Sequence, residues 1–490
     1  MPRVIAFGLL AASTFVTGQQ STPAAPAADT QLTRRLDVVV PRTLEATGTP
    51  SVSVAVVRGG SVVLTRAWGL ARVESRTTAT PAMRYPIGSV AKQFTAAAML
   101  LLQQDGKLSL DDRVSRYLPD VAHADQVAIR QLLNHTAGYD DYWAQDFVPD
   151  YLLKTADVPQ ILREWGGRPL TFTPGAEFRY SNTNYVIAGA IIEKVSGGPF
   201  FRFLQSRIFG PLGMRSAFDY VKNPLPSADA AGYFKYALGP LRPARREADA
   251  WLFGAGSLAM TASDLATWDR SVMSRTLLSE ASYREQQTEA RRADGARAAT
   301  YGLGVELAPR LGRRAVSHLG GGAGVMSANW IFPDDRAAVV VLSNGKGRAA
   351  WSIADFIIGE LFATGVRPDK PEEVARPAPP PAAATLGMRT DVVKARRILE
   401  DLQKGVLDRS AFTENGNAFF SKQALADFSA SLAPLGPVTV WPSFQGKRGS
   451  LAVRGYNAWF ATTTLLITIM EAPDGRLEQF QVAVAPPQWK

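Results

Sequence analysis

The chain contains no cysteine. Disulfides, iron–sulfur clusters, thiolate-bound zinc and a cysteine nucleophile are all excluded. Histidine is almost as scarce, with His123, His135 and His318 the whole complement. No two of them stand at metal-ligand spacing, so a histidine-rich zinc site is not expected and no metal or cofactor is called for. Long apolar runs are missing beyond the extreme N-terminus, which excludes a bundle of membrane helices. Acidic residues are in deficit, leaving a net charge of +10 over 490 residues. The surplus is scattered arginine, as at Arg242, Arg245, Arg246, Arg291 and Arg292. No basic stripe interleaved with aromatics is present, so a nucleic-acid partner is not expected. A basic balance also suits an anionic cell surface. A chain of this length can bury large cores without staples and suits two to three domains.

What is present begins with an export signal. Arg3 is followed by an apolar stretch, Val4 to Val16, too short to span a bilayer as a mature helix. Small residues follow, and cleavage near Gly18 or within Ala25-Pro26-Ala27 would end the signal. Residues 1–28 therefore read as signal peptide and leader, with an uncleaved anchor as the alternative. Either places the folded part in the periplasm or outside the cell, and no integral span is expected once the signal is removed.

The remaining pattern is α+β. Thr33 to Thr47 reads as a helix. Val52 to Val57 and Ser61 to Trp68 flank Arg58-Gly59-Gly60 as a hairpin. A run apolar nearly all round, Val90 to Leu102, opens at Ile87-Gly88-Ser89 and stops at Gly106, as a buried central helix does. Val127 to Asn134, Tyr185 to Val195, Phe200 to Phe209 and Ala259 to Met273 read as helices, the last capped by Thr261 or Ser263. Ala315 to His318, Val325 to Phe332 and Ala337 to Leu342 read as strands, closed by a helix over Trp351 to Ala363. Residues 30–366 form one domain on this reading. Residues 367–385, with Pro379-Pro380-Pro381, have linker composition. Residues 386–490 restart as a small α+β domain, with helices over Val392 to Lys404 and Ser421 to Leu432. Its strands read as Val438 to Val440, Leu451 to Tyr456, Thr462 to Met470 and Leu477 to Val484, with Asp474-Gly475 as a turn.

The chemistry centres on Ser89-Val90-Ala91-Lys92. A serine hydroxyl needs a base, and a lysine serves if burial lowers its pKa. Lysine three positions on shares the serine's helix face, and the unpaired N–H groups at a helix start favour negative charge. Such a tetrapeptide arises by chance about once in a chain like this one. A rival stands at Ser343-Asn344-Gly345-Lys346, but it follows a strand and carries a turn dipeptide. Tyr180-Ser181-Asn182 precedes a helix, and a tyrosine beside a lysine can relay a proton. His318-Leu319-Gly320 ends a strand signal and is followed by Gly321, where a strand edge could supply an oxyanion-hole N–H. His135 reads as structural and His123 as exposed.

Serine, then Tyr-x-Asn, then Lys- or His-x-Gly, in this order, resembles the serine β-lactamase and DD-peptidase superfamily. The nearer likeness is to its class C-related branch of D-aminopeptidases, DD-carboxypeptidases and esterases. Leu132 to Gly138, Thr173 to Asn182 and Pro211-Leu212-Gly213-Met214 carry it as well, and it spans about Leu36 to Ala363. The resemblance implies a β-lactamase/transpeptidase-like antiparallel sheet flanked by helices, with an all-helical region. It implies that Ser89 is acylated, that Lys92 is its base alone or with Tyr180, and that Tyr180 serves the leaving group and the deacylating water. Asn182, His318 and Gly320 would bind substrate, and the N–H groups of Ser89 and Gly321 would form the oxyanion hole. Leu319 stands where Thr or Ser often binds a substrate carboxylate, which lowers the expectation of β-lactamase or carboxypeptidase activity. Lys447-Arg448-Gly449 repeats the Lys-x-Gly pattern but lies past the linker and is set aside. The function expected is an exported serine hydrolase forming an acyl-enzyme with a small-molecule or peptide ester or amide, a D-amino-acid peptide of the cell wall among the candidates. A non-catalytic cell-wall binding or scaffold protein and a true β-lactamase are the alternatives.

Overall fold

The first helix, α1 (Thr30–Thr47), starts where Asp29 accepts from the Leu32 N–H and stops at Gly48 in the left-handed region. The Asp29 cap explains why it begins ahead of Thr33. Leu32, Leu36, Val39, Val40 and Leu44 form its buried stripe. The protein is described from a computed structural model, covering residues 29–220, 223–364, 371–374 and 389–489. The leader 1–28 lies outside the described residues, as does most of the linker. Within the linker, Glu373–Val374 pairs antiparallel with Gln488–Trp489.

Strands β1 (Ser51–Arg58), β2 (Ser61–Arg72) and β3 (Thr77–Thr78) follow, then helices α2 (Lys92–Gln104), α3 (Asn182–Ser196) and α4 (Ala262–Ser274). Next come β4 (Val316–Gly322), β5 (Val325–Phe332), β6 (Ala337–Ser343) and α5 (Ala349–Leu361). The six strands make one antiparallel sheet in the order β3-β2-β1-β6-β5-β4. Strand alternation assigns its two faces. Val54, Val341, Ala328 and Leu319 lie in register and pack toward α1 and α5. Ala55 and Val340 point the other way, onto α2 and the helical region. His318 shares that second face, paired with Asn329. Leu319 therefore faces away from His318, into the α1/α5 layer, and a hydroxyl there would not reach the His318 side.

Several elements differ from the sequence reading. Leu258–Met260 is a short strand, so α4 starts later, with Thr261 accepting from the Asp264 N–H at 3.1 Å. Between Val127 and Asn134 only Ile129–Leu133 is helical, because Ala128 bridges to Arg113. The Phe200 helix runs into one π turn at Gln205–Phe209. α2 is buried on all sides over Lys92 to Leu102, as its composition requires, and Phe94 packs on Trp268 with ring centroids 4.6 Å apart.

The C-terminal residues form helices α6 (Thr390–Gln403) and α7 (Lys422–Leu432) against an antiparallel meander. Its strands are β7 (Thr439–Arg448), β8 (Leu451–Trp459), β9 (Thr464–Glu471) and β10 (Leu477–Val484). Leu399, Phe428, Ile467 and Phe480 centre their apolar core, which Ala237 joins from the preceding region. β7 is far longer than the Val438 to Val440 segment that reads as strand. It is an exposed edge strand interrupted at Pro442 by a register shift, and only an edge tolerates proline.

Candidate active site

Ser89 lies in a 3-10 turn, Gly88–Ala91, that feeds α2 at Lys92. The sequence reading put Ser89 in the α-helix itself. The tighter turn serves the pair better, because residues three apart eclipse in a 3-10 helix. Lys92 Nζ stands 3.1 Å from Ser89 Oγ. The turn depends on Gly88, whose φ is +53°; a Cβ there would lie 2.7 Å from the Gly321 oxygen and 2.8 Å from the Gly321 nitrogen. Two glycines thus let the backbone beside Ser89 press against the end of β4, next to the N–H groups expected to form an oxyanion hole. Gly320 serves the same junction: a Cβ would come 2.2 Å from both the Ile87 carbonyl and Ser327 Oγ. Its bareness answers a packing demand from Ile87, and the Ser327 hydroxyl donates to that same carbonyl at 2.8 Å.

Lys92 is fully buried. Besides facing Ser89, its ammonium donates to Asn182 Oδ1 at 2.8 Å and to the Ala255 carbonyl at 2.8 Å. It lies 4.9 Å from the Tyr180 ring centroid and 5.3 Å from that of Tyr185. Burial lowers its pKa to about 7, with Asp141 opposing and Arg448 reinforcing the drop. The Tyr180 hydroxyl is buried without a hydrogen bond of ordinary geometry. Burial pushes its pKa up, and the neighbouring Ser89 hydroxyl acts the other way. At neutral pH the site therefore holds a neutral phenol beside a lysine poised to lose its proton.

Asn182 is wholly engaged by protein. Its Oδ1 accepts Lys92, and its Nδ2 donates to Asp141 Oδ1 at 3.0 Å and to the Trp143 carbonyl at 3.2 Å. His318 is equally occupied. Its Nδ1 donates to the Leu319 carbonyl at 2.7 Å, which leaves Nε2 to accept the Tyr301 hydroxyl at 2.9 Å. Burial, helped by the Lys92 charge, lowers its pKa to about 3, so it is a neutral strut. His135 is buried and stacks on Tyr180 at 4.2 Å, while its Nδ1 accepts the Ser181 N–H at 3.3 Å. His123 is exposed.

Two features escaped sequence reading. The first is Asp141, which accepts both the backbone N–H and the side-chain amide of Asn182 at 3.0 Å. The second is the β7–β8 turn, set aside as belonging to another domain. Arg448 pairs with Asp146 at 2.9 Å, and a Cβ on Gly449 would lie 3.6 Å from Asp140 Oδ1. The repeated Lys-x-Gly pattern was its one signal in the sequence. Beside the turn, Asp141, Trp165, Arg168, Trp251 and Ser450 line a cavity of about 570 Å³. The rival tetrapeptide is dispersed: Ser343 Oγ donates to the Met326 carbonyl, whereas Lys346 Nζ reaches the Gly322 carbonyl at 3.3 Å. Among the described residues no group of acidic and histidine side chains is placed to hold a metal ion, and no helix is long and apolar enough to cross a membrane.

The profile of the family named Beta-lactamase matches residues 36–359. A D-aminopeptidase of Brucella canis is 30% identical over 326 residues, which is 66% of this chain and 61% of that protein. The chain thus aligns with less than two thirds of that relative's length. A D-stereospecific amidohydrolase from Streptomyces sp. is similar in structure with a TM-score of 0.57 and 27% identity, over 68% of this chain and 99% of the other. An octameric penicillin-binding protein homologue from Pyrococcus abyssi shares the fold with a TM-score of 0.60 and 21% identity. That likeness covers 92% of this chain and 98% of the other, so it extends beyond the family segment.

Proposed function

The chain belongs to the Beta-lactamase family, and on that premise we propose that it is a serine hydrolase working through an acyl-enzyme on Ser89. The observation that carries the reading is the buried Lys92 ammonium 3.1 Å from Ser89 Oγ, with its pKa lowered to about 7. Neutral Lys92 accepts the Ser89 proton as Oγ attacks the substrate carbonyl. The N–H groups of Ser89 and Gly321 receive the oxyanion. Collapse of the tetrahedral adduct expels an amine or alcohol, which takes a proton delivered from Lys92 through the Tyr180 hydroxyl. Water then attacks the ester, its proton passing through Tyr180 to Lys92; the acyl C–Oγ bond breaks, Lys92 returns the proton to Ser89 Oγ, and the acid leaves. The raised phenol pKa suits a relay that stays protonated and supports Lys92, rather than a Tyr180 phenolate, as the general base.

Substrates are amides or esters, foremost those of D-amino acids. The similarity to a D-aminopeptidase and a D-stereospecific amidohydrolase supports this choice. Action outside the cytoplasm on a cell-wall peptide fits the leader and the basic charge. The test is intact-mass analysis after treatment with a fluorophosphonate, followed by turnover of p-nitrophenyl acetate, a D-alanyl amide, a D-Ala-D-Ala peptide and nitrocefin. One adduct on the wild type and none on Ser89→Ala is expected, with the D-alanyl amide preferred over nitrocefin. An equal adduct on Ser89→Ala would overturn the reading.

A further inference from the structure

The C-terminal residues do not merely adjoin the family segment; they grip one loop of it. That loop runs from Asp140 to Val148. Arg448, at the end of β7, pairs with Asp146 at 2.9 Å. Gln479, on β10, donates to Asp146 Oδ2 at 2.9 Å and accepts the Asp146 N–H at 2.6 Å. Gln145 donates to Glu478, also on β10. Ala144 packs against Leu451 and Met470. The loop so held carries Asp141, which fixes Asn182, which in turn accepts Lys92. A continuous chain of contacts links the β7–β8 turn to the lysine beside Ser89. Loops bearing functional groups need such support, because a misplacement of about 1 Å costs up to a hundredfold in rate.

We propose that the C-terminal region is a working part of the Ser89 site, with Arg448 as a positioning residue that holds the Asp140–Val148 loop and sets the electrostatic surroundings of Lys92. This rests on the serine hydrolase reading above. Two roles combine in one side chain. The guanidinium anchors Asp146, and its charge opposes protonation of Lys92 while Asp141 favours it. The other titratable groups facing Lys92 are Tyr180, Tyr185, His135 and His318. Burial keeps both phenols protonated and both imidazoles neutral. Arg448 and Asp141 are thus the charged pair that balances the base. Their residues come from opposite sides of the linker, so the site is complete only when the C-terminal region is docked.

The experiment measures the rate of Ser89 modification by a fluorophosphonate from pH 5.5 to 9.5, in the full-length protein and in Arg448→Met and Arg448→Lys. Thermal unfolding is recorded for each. Arg448→Met should move the midpoint of the pH limb upward by roughly half to one unit, the size expected for one removed charge at a high effective dielectric. Its rate at pH 7 should fall about two- to fivefold, as the neutral fraction of Lys92 does for such a shift. Arg448→Lys should restore the midpoint and most of the rate. A midpoint in Arg448→Met within 0.2 unit of wild type, with or without a loss of thermal stability, overturns the proposal. So does Arg448→Lys behaving like Arg448→Met, because charge would then not be the agent. Failure of the underlying reading looks different: the wild type itself would take no label at Ser89.

Discussion

Replacing Lys92 by methionine tests how the site stores its reactivity. The side chains have similar length, and only the lysine can carry a proton. In the folded protein Lys92 titrates near 7, against 10.5 for an ordinary lysine. Between those values the unfolded chain holds the proton and the folded chain does not. Stability contributed by this group therefore rises with pH across that window, and is lowest below pH 7, where the fold must bury a charge. Linkage between pH 6 and pH 9 amounts to about 2.7 kcal/mol. Lys92→Met lacks this dependence but loses the bonds to Asn182 and the Ala255 carbonyl, a cost nearly constant with pH. The stability difference, wild type minus variant, should grow by that amount from pH 6 to pH 9. At about 2 °C per kcal/mol for a domain of this size, the melting temperatures separate by about 5 °C more at the higher pH. Differential scanning calorimetry of both proteins across pH 6–9 reads the effect, and other titrating groups cancel in the difference. Acylation of the wild type should follow the same group, with about a tenth of Lys92 neutral at pH 6 and nine tenths at pH 8. Parallel melting curves, or a difference that shrinks with rising pH, would refute a lysine held near neutrality by burial.

Other consequences are more local. Asp141→Asn keeps an acceptor for Asn182 but removes the charge that favours protonated Lys92. The pH limb of acylation should move down by roughly half to one unit, opposite in sign to Arg448→Met. Gly88→Ala forces a side chain into the left-handed region and toward the Gly321 backbone. A strain of about 1–2 kcal/mol plus displacement of β4 should lower kcat at least tenfold, with the far-ultraviolet circular dichroism unchanged. Phe94→Ala empties a site between Trp268 and Phe209 deep under α2 and should cost about 3–5 kcal/mol in denaturant melts.

How much of this was legible in the sequence depended on range. Ser89 and Lys92 are three residues apart, Tyr180 and Asn182 two, and His318 and Gly320 two; each group lies within one short segment (a helical turn, a helix entry and a strand), where local pattern speaks directly. The principal helices and the β4–β6 strands follow from the same local patterns. β7 did not, because proline, glycine and polar residues on an exposed edge carry no alternation to read. Arg448 was lost with it.

The sequence by itself determined that a serine and a lysine share one face at the start of an all-buried helix, and that no thiol or histidine cluster competes for the chemistry. Tertiary structure alone decided what that lysine is. Its pKa comes from burial, from Asp141 on a loop and from Arg448 on a distant edge strand, and Arg448 stands 302 residues from its partner Asp146. Charges act through space, and no spacing rule within one segment can report which segments the fold brings within reach.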